Sequence, residues 1–81
     1  MTGSAAAGEL VVVAALLEDR AARIEAVADL LAGRAAAAAW QGPAAERFRV
    51  TSADRRQQLR TAADGLRRAA QHARLVAANA P

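Results

Sequence analysis

Cysteine, lysine and tyrosine are missing from this 81-residue chain, and Trp40 and Phe48 are its only aromatic residues. Each absence removes a class of function. Without cysteine there is no disulfide frame, and a single histidine, His72, does not make a metal-ligand set. No metal or other cofactor is therefore expected. The serines and threonines have no acid–base neighbour at helical spacing, so no catalytic set is expected. Gly33 and Gly42 stand alone, which leaves no glycine-rich phosphate loop. Enzyme is the least expected class, and His72 reads as a surface residue. The apolar run Leu10 to Leu17 is far shorter than the roughly 20 residues that cross a bilayer. It follows Glu9 rather than a basic segment, so a conventional signal peptide is not expected.

Proline is scarce too. Pro43 and Pro81 are the only two, and between Gly8 and Pro43 no residue demands a chain reversal. Gly is favoured just past a helix end, where it accepts the left-handed conformation, and Pro at the first position of the next helix. Gly42-Pro43 supplies both. The chain therefore reads as all-α: a two-helix antiparallel hairpin with Trp40-Gln41-Gly42 at its tip. One domain over 1–81 is expected, with helix 1 over about 5–40, a turn at 41–42 and helix 2 over about 43–78. Met1 to Gly8 reads as a frayed lead-in with Ser4 as N-cap, and Asn79-Ala80-Pro81 as the end of the second helix.

What the chain has in abundance is alanine: 26 residues, which leaves the 54% apolar fraction poor in bulky side chains. The first arm carries a heptad. Leu10, Leu17, Ile24 and Leu31 repeat every seven residues, and Ala14, Ala21, Ala28 and Ala35 repeat beside them. Such a stripe keeps facing a neighbouring helix, and the small column permits a close approach. Val13 and Val27 fill an intermediate position that Arg20 and Arg34 interrupt. Leu16, Leu30 and Val12 widen the apolar surface to one side, which implies a second interface. In the second arm Phe48, Leu59, Leu66 and Leu75 are read as one line. Ala62, Ala63, Ala70 and Ala73 flank it, and Arg55 intrudes. A lone hairpin buries only one stripe per helix, and domains this small lean on oligomerisation, metals or disulfides. A partner chain is the remaining route to a core.

The charge is uneven. All eleven basic residues are arginine, and the net charge is +3. Five acidic residues against three arginines give residues 1–40 a net −2; three against eight give residues 41–81 a net +5. Glu18, Glu25 and Asp29 form an acidic stripe, and Arg49, Arg56 and Arg60 repeat its spacing, with Arg67 and Arg74 in the same sector. Folded back at residue 41, the two stripes come to comparable heights. They are expected to set register, within the chain or with a partner, as flanking charges do in coiled coils. The bland alternative is two solvated faces that contribute little. The arginine stripe also permits phosphate contacts. However, no aromatic residue is interleaved for base stacking, and no recognition helix follows a tight turn. Nucleic-acid binding is the lesser reading.

Trp40 reads either as an anchor at the hairpin tip or as a partner contact, since Trp is enriched at binding hot spots. Trp40-Gln41-Gly42 is a W-x-G tripeptide at the centre of a short, alanine-rich, cysteine-free helical chain, followed by Ala44-Ala45-Glu46-Arg47-Phe48. This pattern resembles the WXG family of type VII secretion substrates, the early-secreted-antigen-like proteins of actinobacteria and related Gram-positive bacteria. The resemblance covers the whole chain. It implies a hairpin that dimerises, with itself or a paired W-x-G homologue, into a four-helix bundle. It further implies export in the folded state by an ATPase-driven machine, from the cytoplasm to the cell surface or beyond. Trp40 and Gly42 would form half of a composite signal. The partner interface would comprise Leu10, Val13, Leu17, Ile24, Val27 and Leu31 of the first arm with Phe48, Leu59 and Leu66 of the second. In the family a Tyr-x-x-x-Asp/Glu tail completes the signal. This chain has no Tyr, so the resemblance implies that a partner carries the tail, or that the chain is a cytoplasmic partner or chaperone of a larger secreted effector.

Overall fold

The computed structural model describes residues 2–37 and 41–80, with the side chains of residues 2–4 left aside. Two helices account for nearly all of this: α1, Thr2–Ala37, and α2, Pro43–Ala78. They lie antiparallel along their length in a molecule 64 Å by 14 Å by 12 Å. Thirty-six residues at about 1.5 Å each make an arm of about 54 Å. The radius of gyration is 18.5 Å, against about 12 Å for a compact domain of this length. The hairpin is therefore a rod with nothing packed behind it.

Local chemistry explains the ends. α1 starts earlier than the sequence suggests: Thr2 to Gly8 is already helical, so Ser4 lies inside the helix and not at its cap. Ala5, Ala6 and Ala7 are the best helix formers, and Gly8 costs only about 1 kcal/mol relative to Ala, too little to stop propagation. The described part of α1 runs to Ala37; the expected continuation to Trp40 lies outside the described residues, as does Trp40 itself. At the turn, Gly42 has φ 103° and ψ −178°. This is a region essentially restricted to glycine. It is not the left-handed helical region expected for a residue past a helix end. Gly42 acts instead as the N-cap of α2, its carbonyl accepting from the Glu46 N–H at 3.0 Å, with Pro43 at the first helical position. At the far end the Asn79 side-chain amide donates to the Leu75 carbonyl at 2.8 Å, and its backbone N–H is shared between Leu75 and Val76.

The seam between the helices is made of alanine. Ala14, Ala21 and Ala28 of α1 and Ala63 and Ala70 of α2 have no exposed surface, and Ala45, Ala73 and Ser52 are also buried. Leu10 and Leu17 ride beside this column, half-buried against Ala14, Ala70 and Ala73. Among the described residues no large side chain is fully buried. Three expected members of the second-arm stripe are exposed: Phe48, Leu75 at 55%, and Ala62. Leu75 lies 27 residues past Phe48, which at about 100° per residue carries it to the opposite side of the helix.

Candidate functional site

The two long flanks of the rod have opposite chemistry. On one, guanidinium groups reach across from α2 to carboxylates of α1: Arg67 donates to Glu25, and Arg74 to Glu18. The pairs are seven residues apart on both helices, so one antiparallel register satisfies both. The hydrogen bond from Arg67 holds the Glu25 carboxyl below its ordinary value, against a smaller opposing effect of desolvation; the charges of Arg67 and Arg60 add to it. Glu25 in return raises Arg67.

Of the six residues expected to set register, Glu18 and Glu25 take cross-helix partners, but from Arg74 and Arg67. Arg49, Arg56 and Arg60 are placed differently. Arg49 lies 3.8 Å from Glu46 on its own helix. Arg60 acts on Glu25 through space. Extending the register by four residues sets Asp29 level with Ala63, and no salt bridge among the described residues includes it. Arg56 belongs to the seam: with Arg49 it borders a recess lined by Ala32, Ala35 and Ala36, and its Nε is buried with no hydrogen-bond partner among the described residues. The heptad Arg49, Arg56, Ala63, Ala70, Ala77 carries this information in the sequence, since Ala63 and Ala70 are the two alanines of α2 with no exposed surface.

The other flank is apolar and open. Val13, Leu16, Ile24 and Val27 of α1 and Leu59 of α2 line a shallow groove, with Asp19, Arg20 and Arg23 at its rim. Leu16 and Leu30 are each 64% exposed. The expected interface residues divide accordingly: Leu10, Leu17, Ile24, Leu31, Leu59 and Leu66 are half-buried beside the seam, while Val13, Val27 and Phe48 are exposed. The extra width of the first-arm stripe is thus surface that α2 leaves uncovered. His72 is exposed. Among the described residues no helix is long and apolar enough to cross a membrane. The chain matches no protein-family model, no curated protein and no solved structure.

Proposed function

We propose that this chain is a non-enzymatic interaction protein, a helical hairpin whose core is completed by a partner, in the manner of a type VII secretion substrate or its co-secreted partner. One observation carries the partner requirement. Among the described residues the buried ones comprise seven alanines and Ser52, while ten valine, leucine and phenylalanine side chains are 39–64% exposed. Fully burying one such side chain contributes about 1.5–3 kcal/mol, and here much of that contribution is left unrealised. The exposed surface of 5873 Å² exceeds by about a quarter the ~4,600 Å² expected of a compact chain of this mass.

The secretion assignment is supported by the W-x-G tripeptide near the middle of the sequence, with its last residue, Gly42, at the turn that opens α2. On this reading the protein is cytoplasmic before export and reaches the cell surface or medium by a non-classical route. A nucleic-acid role has the arginine stripe in its favour, but Arg67 and Arg74 are engaged by Glu25 and Glu18.

Solution mass and circular dichroism on the purified chain test the partner requirement. A helical oligomer at micromolar concentration, or a chain that folds only when co-expressed with another protein, agrees with it; a stable helical monomer overturns it. The secretion assignment is tested in a host with a type VII ATPase, where Trp40→Ala should abolish export while helical content is unchanged.

A further inference from the structure

The two cross-helix bridges form a ladder that stops one rung short. Glu18–Arg74 and Glu25–Arg67 are separated by one heptad on each helix. One further step in the same register sets residue 32 level with Arg60, and residue 36 level with Arg56. There α2 again supplies arginine, but α1 supplies Ala32 and Ala36, which have no carboxylate to offer. Among the described residues no salt bridge includes Arg56 or Arg60. In place of the missing rung lies a recess of about 350 Å³, bordered by Ala32, Ala35, Ala36, Arg49 and Arg56. No acidic side chain lines it. Glu46 pairs with Arg49 at 3.8 Å on their own helix, and Asp29 stands one turn of α1 away, outside the lining.

The charge around the recess is one-sided. Residues 30–60 carry six arginines against Glu46 and Asp54, while the rest of the chain carries five arginines against six carboxylates. The half of the rod nearer the turn is therefore the basic half. Within it, the buried Arg56 Nε has no hydrogen-bond partner among the described residues. A buried donor without a partner costs free energy, and a side chain with no bond to break can turn its guanidinium into the recess. That group presents parallel N–H donors matched to the two oxygens of a carboxylate. The rest of the wall is alanine methyl. It has no donor for a phosphate, which carries oxygens on every side, but it suits the methylenes behind a carboxylate. We infer that the recess binds a carboxylate on a short apolar stem, the glutamate side chain of another polypeptide, which completes the third rung in trans. Arg56 takes the carboxylate, and Arg49 and Arg60 contribute charge from one heptad and one turn away. The site lies within a single hairpin. A stable helical monomer, which overturns the proposed function, therefore leaves this inference standing.

The test is a titration of the folded, 15N-labelled full chain, followed by NMR at the arginine Nε–H and backbone amide signals. The probe is a capped alanine-based peptide with one central glutamate. Its glutamine counterpart, glutarate and inorganic phosphate are run beside it. The glutamate peptide should shift the Arg56 Nε–H saturably and more than those of Arg47, Arg55 and Arg68, while the glutamine peptide should not. Arg56→Leu should weaken binding at least about tenfold, as expected for loss of a charge-assisted hydrogen bond; this is read at the Ala35 and Ala36 amides. Ala32→Glu supplies the missing carboxylate within the chain. It should weaken binding to a similar degree and raise Tm above that of Ala32→Gln. No shift at Arg56, a shift spread evenly over the arginines, or undiminished binding in Arg56→Leu overturns the site. Tighter binding of phosphate overturns the carboxylate assignment, and a response to glutarate without one to the glutamate peptide overturns the polypeptide source.

Discussion

Replacing Ala21 by Leu tests the alanine seam at the middle of its α1 column. Ala21 has no exposed surface, and Ala14 and Ala28 lie one heptad to either side of it, equally buried. Leucine adds three carbons. Given room, these would contribute about 0.8 kcal/mol each by leaving water. A fully enclosed Cβ between two close helices leaves no such room, so the helices must part, and Ala14 and Ala28 lose contact with α2 as well. Overpacking of this kind costs about 1–3 kcal/mol, and the shared displacement points to the upper part of that range. The control is Ala22→Leu, one residue on and exposed, which should change stability by less than about 0.5 kcal/mol. Urea titrations followed by circular dichroism, all at one protein concentration because association shifts the midpoint, give the comparison. If Ala21→Leu is as stable as Ala22→Leu, the helices are not held at alanine distance and the account of the core is wrong.

The turn, the helix interior, the seam arginine and the ion-pair flank each give a further prediction. Gly42→Ala places a side chain at φ 103°, where nothing lies within 4 Å of the added carbon; the cost is therefore backbone strain alone, about 1–3 kcal/mol, and an unchanged urea midpoint would contradict it. Gly33→Ala, in the exposed interior of α1 with open space around it, should stabilise by about 0.5–1 kcal/mol, seen as a higher Tm. Arg56→Leu removes a buried Nε that has no partner among the described residues and should stabilise by about 1 kcal/mol; a loss of stability would mean that the guanidinium is satisfied in solution. The Glu25 carboxyl is held below its ordinary value of 4.5 by Arg67. Its contribution is therefore full above that ordinary value and is lost as pH falls through the lower folded value. Glu25→Gln should flatten the acid limb of a stability–pH profile and leave pH 6–8 stability little dependent on pH, with the difference shrinking at high salt; parallel acid limbs in the two proteins would refute the pairing.

The hairpin was legible because its signals are local. Gly42-Pro43 marks the reversal, and the unbroken alanines on either side leave helix as the only economical backbone. The division of labour within the first heptad was harder to read. Leu10, Leu17, Ile24 and Leu31 look like a core by hydropathy, yet the buried column is Ala14, Ala21 and Ala28, because helices that meet at alanine push larger side chains to the flank. Ion-pair partners depend on register, and register depends on how many residues the turn consumes. Arg67 and Arg74, which take the carboxylates, lie one and two heptads beyond the expected Arg60. Arg56 shows the same limit from the other side: its charge suggested the surface, while its heptad position, in line with Ala63 and Ala70, determined that it enters the seam.

The asymmetry of the flanks follows from that alanine seam and leads toward association. A seam of methyl groups brings two helices together with little hydrophobic contribution of its own. On the flank bearing Glu18 and Glu25, two arginines bridge the helices and fix their register. Exposed ion pairs contribute modestly to stability, but a register error of one residue would break both bridges and rotate the alanine column out of the seam. Among the described residues the other flank has no such bridge, and it carries Val13, Leu16, Val27 and Leu30 at heptad spacings. Fixing register on one side therefore fixes the line of the exposed heptad on the other. The small seam makes the hairpin thin enough that a second helix set against α1 also touches Leu59 of α2, which lines the same groove. Substituting Leu for the seam alanines would thus do more than strain the hairpin: by moving Leu59 away from the α1 groove it should weaken partner binding even though every residue of the exposed heptad is retained.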